Sequence, residues 1–402
     1  MPGAEAAFGI QHSAFREEDF SNPQSLPPRP ISVSQITLSH FRNYENMRLA
    51  CNTAPVVLTG ANGSGKTNLL EAISLLVPGR GLRRSALADL QNRKFEESWG
   101  VAITLCTDAG PLAIGTGRDS ALSDGEGERR LVHIAGKPAR SQTALGDYVA
   151  MAWITPDMDR LLVEGVSARR KFLDRLVFSF DPAHNGRVQR YDKAMRERLR
   201  LLREPGADSS WTAALENEMA QTAVAIAAAR KHMIERLRMA IDIGGDVFPR
   251  ADIDVRGAAE DMLDTDPALL VEDALRAAFL RARNDDAASG TCATGAHRSD
   301  LRVAHRAKNC PADLCSTGEQ KALLIALMLA YVRLLSEQRQ MVPLFLLDDI
   351  AAHLDDYRRS ALFDEILALK TQAWLTGTDY AHFAPLAHDA QIFEVKNGGV
   401  YG

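Results

Sequence analysis

The chain has 402 residues, of which 46% are hydrophobic and 25% are charged. This length predicts two or three compact units with a substantial core, and this composition excludes a disordered or fibrous class. The formal net charge of −5 at pH 7 excludes a generally basic nucleic-acid coat. Any contact with nucleic acid must therefore use local basic patches.

Three features concern the cellular compartment. The five cysteines are scattered and form no C-x-x-C pair, which predicts reduced thiols rather than disulfides or a zinc site. The apolar stretch 322–335 is shorter than the roughly 20 residues that span a bilayer, and it predicts a buried helix. Residues 1–30 contain four prolines and lack a signal-peptide pattern, which predicts a flexible N-terminal tail. We expect a cytoplasmic protein without a membrane contact.

Alternating and short apolar segments dominate residues 31–180. The pattern predicts strands over 31–41 and 54–60, a helix over 69–77, and strand-like segments over 99–106, 111–117 and 130–136. Glycine, proline and aspartate separate these segments. The first part of the chain is therefore predicted to be a mixed α/β unit with a meander.

Residues 181–285 change to a helical pattern. Apolar residues recur at steps of three or four on both sides of the Pro205–Gly206 break, which predicts a helical hairpin inserted into the α/β unit. Its first arm carries many basic residues, which favour either a solvated helix face or a stripe that faces DNA. These residues are Arg187, Arg190, Lys193, Arg196, Arg198, Arg200 and Arg203.

The α/β pattern returns in residues 286–402. It predicts a helix from Glu319, a strand over 342–347, a helix from Tyr357 and a strand over 372–378. No internal repeat is visible. The two α/β parts are thus expected to form one composite unit.

The string GANGSGKT at residues 60–67 fits the phosphate-binding loop (P-loop) pattern G-x-x-x-x-G-K-[ST]. It lies between a predicted strand and a predicted helix, so backbone N–H groups and the helix N-terminus can face phosphates. An unrelated glycine-rich loop is the alternative, which this setting disfavours. Lys66 is expected to reach the β- and γ-phosphates in catalysis, and Thr67 to bind Mg²⁺. The predicted ATP-binding residues of the loop are Gly60, Ala61, Asn62, Gly63, Ser64, Gly65, Lys66 and Thr67.

The string PLFLLDD at residues 343–349 predicts a buried strand that ends in two carboxylates. Asp348 is expected to hold Mg²⁺ through water. Asp349 stands where an ABC ATPase, which these motifs resemble, usually has a glutamate that orients the attacking water. Because aspartate is one methylene shorter, we expect Asp349 to act as the catalytic residue with slow ATP hydrolysis.

A third motif, CSTGEQKALLIALMLA, begins 32 residues before Asp348, counting from Ser316. A serine N-cap before a buried helix would explain it alone. Combined with the two phosphate motifs, it resembles the ABC signature, with Ser316, Gly318 and Glu319 at the matching positions. In that class the signature caps the γ-phosphate held by a second subunit, so ATP is expected to join two subunits as a homodimer. Asp355 in HLDD resembles the acidic residue of the loop that completes the interface, the D-loop.

About 250 residues separate Thr67 from Ser316, more than in a transporter ATPase and fewer than in an SMC protein with its long coiled coil. Four strings besides the P-loop resemble the RecF family; the blocks 153–177 and 295–301 have no obvious counterpart in transporters, which also normally lack the FRNY motif. The four strings are LSHFRNYENMRL with Arg42 and Asn43 beside the nucleotide, GRGLR at 79–83, the block 153–177, and GAHRSDL at 295–301. Cys315 departs from the leucine that is commoner in the family, and the tail before Ile31 has no counterpart.

The resemblance implies an ABC-type ATPase head with an inserted helical lobe, using ATP and Mg²⁺. It implies binding to single-stranded, gapped or junction DNA, help in loading RecA together with RecR and RecO, a role in the SOS response, and weak DNA-stimulated ATP hydrolysis. The DNA surface is inferred from basic residues, namely Arg169, Arg170, Lys171, Arg190 and Lys193. The alternatives are an ATPase subunit of an ABC transporter and a metabolic P-loop kinase.

Overall fold

A computed structural model describes residues 28–118, 130–204, 208–245 and 247–402. The helices of these residues are α1 (Lys66–Ser74), α2 (Val166–Phe178), α3 (His184–Leu201), α4 (Ser209–Asp242), α5 (Ala258–Met262), α6 (Ala268–Arg281), α7 (Arg283–Ser289), α8 (Thr317–Arg339) and α9 (Asp356–Ala368). The strands are β1 (Ser32–Phe41), β2 (Tyr44–Ala50), β3 (Val56–Thr59), β4 (Gly100–Thr107), β5 (Gly110–Arg118), β6 (Arg130–Ile134), β7 (Lys137–Pro138), β8 (Met151–Ile154), β9 (Ala251–Arg256), β10 (Asp300–His305), β11 (Cys310–Pro311), β12 (Leu344–Leu347), β13 (Ala373–Gly377), β14 (Gln391–Lys396) and β15 (Gly399–Tyr401).

The central sheet has the strand order β15-β14-β3-β13-β12-β8. All neighbouring pairs are parallel except β14 and β15. The strands β3 and β12 are fully buried apolar runs, which is typical of parallel strands covered on both faces. The carboxyl ends of β3, β13 and β12 therefore lie side by side, and the loops that follow them meet at one edge of the sheet.

A second sheet, with the order β2-β1-β4-β5-β6-β7, is antiparallel and contains the predicted meander. Buried side chains alternate with more exposed ones along β1 and β4. The buried ones share one core with the P-loop helix α1 and with one face of the central sheet. The strand β2 was not predicted. Its sequence, YENMRLA, alternates in burial, but its two charged residues weaken the apolar signal.

The helical lobe contains the predicted hairpin, formed by α3 and the 34-residue α4. Its turn at 205–207 lies outside the described residues. The region 181–285 also contains β9, which pairs with β10 in a small antiparallel sheet and was not predicted. Within the lobe, Arg198 is fully buried and bonded to Glu216 and Asp286. Arg198 thus belongs to the interior of the lobe and not to a DNA-facing stripe.

The two mid-chain strings that resemble the RecF family lie against each other. Arg169 on α2 donates two hydrogen bonds to the carboxylate of Asp300 at 2.7 and 3.0 Å. Arg170 donates to the carbonyl oxygen of Ser299 at 3.1 Å. The two strings are therefore halves of one junction between the helical lobe and the ATPase unit.

The apolar stretch 322–335 lies within α8, where nearly every side chain is buried, as predicted. No helix among the described residues is long and apolar enough to cross a membrane. The five cysteines are free thiols. Residues 1–27 of the predicted tail lie outside the described residues.

Candidate nucleotide-binding site

The P-loop connects β3 to α1 at the edge of the central sheet, as the sequence predicts. Gly60 and Gly65 have φ values of 142° and 118°, a region that disfavours other residues. A Cβ on Gly60 would lie 2.4 Å from the carbonyl oxygen of Val395, and a Cβ on Gly65 would lie 2.5 Å from Nδ2 of Asn43. The loop therefore needs glycine at both positions for conformation and for space.

Lys66 is 8% exposed, and its Nζ donates to the carbonyl oxygens of Gly60 at 2.6 Å and Ala61 at 2.8 Å. Burial lowers the pKa of Lys66, and the nearby carboxylates of Asp349 and Asp348 oppose this shift. The ammonium group thus lies inside the P-loop with two carboxylates nearby. A phosphate group is the kind of anion that this arrangement suits.

Thr67 and Asp348 meet although 281 residues separate them. The Thr67 hydroxyl donates to Oδ1 of Asp348 at 2.9 Å, and the Thr376 hydroxyl donates to the same oxygen at 2.7 Å. Burial raises the pKa of Asp348, while the hydrogen bonds from Thr376 and Thr67 oppose the shift. The structure therefore joins the two motifs that the sequence predicted as halves of one site.

Asp349 follows the end of β12 and has a φ of 52°, in the left-handed region that aspartate tolerates better than most residues. Its backbone N–H donates to the Thr376 hydroxyl at 2.9 Å. Thr376 thus contacts both carboxylate residues, one through its hydroxyl proton and the other through its oxygen. The backbone turn at Asp349 directs the chain away from the sheet beside the P-loop lysine.

The predicted pair Arg42 and Asn43 lies next to the P-loop, but the two side chains differ in their contacts. Asn43 donates to the carbonyl oxygen of Ser64 at 2.9 Å and accepts from Asn68. Arg42 makes a two-bond ion pair with the buried carboxylate of Glu71 at 2.8 and 2.7 Å. Asn43 therefore supports the loop directly, whereas Arg42 fixes helix α1 behind it.

The three signature residues begin α8. Ser316 is its N-cap and forms a capping box with Glu319, whose carboxylate accepts from the Ser316 backbone N–H at 3.0 Å. Hydrogen bonds from Lys308 and Ser316 lower the pKa of Glu319 to about 2. In the part of the chain that the structure describes, no hydrogen bond or ion pair connects Ser316, Gly318 or Glu319 to the P-loop.

The signature and the D-loop residue lie close together in one chain. Asp355 is the N-cap of α9 and accepts from the backbone N–H of Arg358 at 2.8 Å. The guanidinium of Arg358 in turn lies 3.9 Å from the position of a Cβ on Gly318. The starts of α8 and α9 therefore share one surface, which we call the α8–α9 surface. Leu314 and Tyr357, which flank it, are 74% and 71% exposed.

The predicted DNA-binding residues fall into two groups. Arg169 is paired with Asp300, and burial lowers the pKa of Arg170, which lies near Arg230. These two residues serve the junction of the lobe. The other three side chains, of Lys171, Arg190 and Lys193, are exposed.

Three residues around the site were missed in the sequence. Thr376, within the strand β13, donates to Asp348, and Asn68, directly after the P-loop pattern, donates to Asn43. The Tyr44 hydroxyl donates to the carbonyl oxygen of Gly65 at 3.0 Å. For Thr376 the available signal was a polar residue in an otherwise apolar strand, and this signal does not reveal the partner.

A Mg²⁺ ion fits the donors that this site offers. The Thr67 hydroxyl and the Asp348 carboxylate are hard oxygen ligands at one point, and Mg²⁺ in such sites is usually held by one or two side chains, phosphates and water. The described residues contain no cluster of three or more His, Cys, Asp or Glu side chains that could hold a metal by themselves. Protein groups would thus supply only part of the coordination.

The central sheet carries a P-loop at the end of β3 and two consecutive aspartates after β12, and Thr67 of the P-loop is bonded to the first of them. Together with the capped signature helix α8 and the inserted helical lobe, this arrangement defines an ABC-type ATPase head. The family model described as the RecF/RecN/SMC N terminal domain matches residues 32–398. The DNA replication and repair protein RecF of Mesorhizobium japonicum is 46% identical over 375 residues, which cover 93% of this chain and 98% of that protein. The RecF of Brucella suis biovar 1 is 46% identical over 383 residues, covering 93% and 97%. The chain therefore belongs to the RecF family of DNA replication and repair proteins.

Solved structures have the same fold. The recombination mediator protein RecF-ATPrS of the RecFOR pathway superposes with a TM-score of 0.80 at 22% identity, covering 93% of this chain and 99% of that one. The Smc head domain of Pyrococcus furiosus, solved with an extended coiled coil and a ScpA domain, gives a TM-score of 0.51 at 16% identity and covers 92% and 95%. The fold prediction is thereby confirmed.

Proposed function

We propose that the chain binds ATP at the P-loop and uses it in DNA repair in the manner of its RecF relatives. The main support for the proposal is the hydrogen bond between Thr67 and Asp348. It brings the P-loop and the carboxylate at the end of β12 together in one site. Lys66 would bind the β- and γ-phosphates, and the backbone N–H groups of 60–67 would surround them. The solved structures of RecF-ATP and RecF-ATPrS support this assignment.

Hydrolysis at this site is expected to be slow. Thr67 and Asp348 would hold Mg²⁺, which neutralises charge on the phosphates when bound. Asp349 would orient the attacking water through its carboxylate. Because the side chain is short and its backbone is fixed by Thr376, its reach toward that water is limited.

ATP is expected to join two copies of the chain through the α8–α9 surface. The cap residue Ser316 and the adjacent backbone N–H groups would bind the γ-phosphate held by the other copy. The exposed Leu314 and Tyr357 support this assignment, because large apolar side chains beside a polar site are typical of protein interfaces. Asp355 at the start of α9 would complete the contact.

DNA is the expected macromolecular ligand. The exposed Lys171, Arg190 and Lys193 lie on α2 and α3, and these two helices are joined by a hydrogen bond of 2.8 Å between Asp174 and His184. A DNA backbone along these helices would contact all three cations. In this proposal the DNA is gapped or single-stranded, and the chain acts with RecR and RecO to load RecA and to support the SOS response.

The test is binding of fluorescent gapped DNA with ATP, with ADP and without nucleotide, measured by anisotropy. We expect tighter binding with ATP than with ADP. Equal binding in all three conditions would contradict the proposal. Co-fractionation with membranes would favour a transporter subunit, and phosphorylation of a small molecule would favour a kinase.

A further inference from the structure

A cavity of about 80 Å³ lies between β8, the C-terminal end of α2 and α8, away from the nucleotide site. A single water needs about 10–15 Å³ of such space, so the cavity has room for one aromatic ring. Most of its wall is apolar. The side chains that matter here are Met151, Trp153, Phe178, Met328, Arg175 and Arg339.

Three arginines lie in or beside this cavity without a matching carboxylate. The guanidinium of Arg175 lies 4.7 Å from the ring centroid of Trp153, and that of Arg236 lies 4.3 Å from the ring centroid of Phe180. Arg339 donates to the carbonyl oxygens of Ser179 and Gly146. Among the described residues, none of the three arginines forms an ion pair within 4 Å. Burial lowers the pKa values of Arg175 and Arg236 to about 10, which leaves both charged at neutral pH.

Two other inward-facing arginines of the described chain are paired with carboxylates. Arg198 is bonded to Glu216 and Asp286, and Arg230 is bonded to Asp174. Because an unpaired, partly desolvated cation is costly, most such groups have an anionic partner. The cavity therefore fits a ligand that has an aromatic ring and carboxylates next to it.

The chain itself carries such a segment close by. The backbone N–H of Arg29 donates to the carbonyl oxygen of Gln340 at 3.0 Å, so the described chain starts beside the residue that follows Arg339. The string FREEDF at 15–20 places two phenylalanines around three acidic residues and one arginine, a net charge of −2. Eight residues, 21–28, separate Phe20 from Arg29. An extended proline-rich spacer rises about 3.1 Å per residue, so the nine steps from Phe20 to Arg29 reach roughly 28 Å. That reach is ample for a cavity lined by Arg339.

We propose that residues 15–20 bind this cavity within the same chain. The Phe20 ring occupies the apolar part, and the carboxylates of Glu17, Glu18 and Asp19 pair with Arg175, Arg236 and Arg339. The matched family model begins at residue 32, so the segment lies outside the part of the chain that matches the family. The site is thus a tail-binding pocket whose lining includes no residue of the P-loop at 60–67.

The test places a photo-crosslinking benzoylphenylalanine at position 20 of the full chain and maps the products by mass spectrometry. We expect intramolecular crosslinks to peptides that contain Trp153, Phe178 or Arg339. A second sample with Glu17→Lys, Glu18→Lys and Asp19→Lys should lose at least four fifths of this product, since the charges would repel. The same crosslinker at Phe8, outside the acidic run, is the matched control and should give little of it.

Arg175→Gln tests the pocket side, with Arg281→Gln on α6 as a control that removes an arginine elsewhere. Circular dichroism verifies that each variant is folded. If Arg175→Gln unfolds, the same experiment is done with Arg236→Gln. Loss of the crosslink in the pocket variant but not in the control supports the proposal. Crosslinks to other surfaces, crosslinks only between two chains, or a product that survives charge reversal would overturn it.

Discussion

At the scale of single residues, Lys66 carries the clearest expectation. Lys66→Ala removes a buried ammonium group that lies inside the P-loop. Hydrogen bonds to charged groups contribute about 1.5–3 kcal/mol. We expect ATP affinity to fall about ten- to a hundredfold, measured by titration calorimetry. The exposed Lys94→Ala is the matched control and should bind ATP as wild type does. Unchanged affinity in Lys66→Ala would contradict the P-loop assignment.

The second expectation at this scale concerns Asp348. Asp348→Asn keeps an oxygen that can accept from Thr67 and Thr376 but removes the negative charge. We expect Mg²⁺-dependent ATP hydrolysis to fall about ten- to a hundredfold, while the melting temperature stays within a few degrees. Turnover equal to wild type at saturating Mg²⁺ would show that the carboxylate is misassigned.

At the scale of elements, Ser316 has two separable roles as a helix cap and as a predicted γ-phosphate contact. Ser316→Ala and Ser316→Arg both remove the capping hydroxyl, which costs about 1 kcal/mol, so both should lower the melting temperature equally. Only Ser316→Arg fills the space meant for phosphate. Both variants also carry Asp349→Asn, which slows ATP hydrolysis during the measurement. We expect sedimentation with ATP and Mg²⁺ to show dimers for Ser316→Ala and monomers for Ser316→Arg. If both variants dimerise alike, Ser316 is only a cap.

At the scale of the whole molecule, the exposed cations of α3 should determine the salt dependence of DNA binding. For single-stranded or duplex DNA, each lost phosphate contact reduces the slope of log K against log salt by about 0.7–0.9. The double variant Arg190→Gln and Lys193→Gln removes two such contacts and should therefore reduce the slope by about 1.4–1.8. Arg200 lies on the same helix and forms ion pairs of 2.5 Å with both Glu197 and Glu204, whereas Arg190 has only Glu218 at 4.0 Å. Arg200→Gln should therefore leave the slope near the wild-type value. An unchanged slope in the double variant would place DNA elsewhere.

Acid stability depends on the contact between α2, α3 and α4. Burial raises the pKa of Asp174, but the hydrogen bond from His184 and the charge of Arg230 outweigh it and bring the pKa to about 2, from 3.8. The ionised group therefore stabilises the fold above pH 3.8, and this stability is lost as the pH falls toward 2. The loss is on the order of 2 kcal/mol. Melting temperatures should fall between pH 5 and pH 2 more steeply in wild type than in Asp174→Asn, and equal slopes would contradict the assignment.

The sequence by itself determined the P-loop, the carboxylate strand and the signature helix, because each is a short string whose conformation depends on its own residues. It also predicted seven of the fifteen described strands and the helices α1, α3, α4, α8 and α9, since apolar periodicity reports burial locally. The strands β2 and β9 escaped because their charged residues weaken the apolar alternation.

Only the tertiary structure decided which side chains act together. Thr376 was an ordinary strand residue until β13 placed it against Asp348, and Arg198 looked like any basic residue of α3 until Glu216 and Asp286 enclosed it. Arg169 likewise proved to be paired with Asp300, 131 residues away. The sequence gives the charge of a side chain, but the packing of distant elements sets its partner and its exposure. The partner and the exposure decide whether that charge binds a ligand or stabilises the fold.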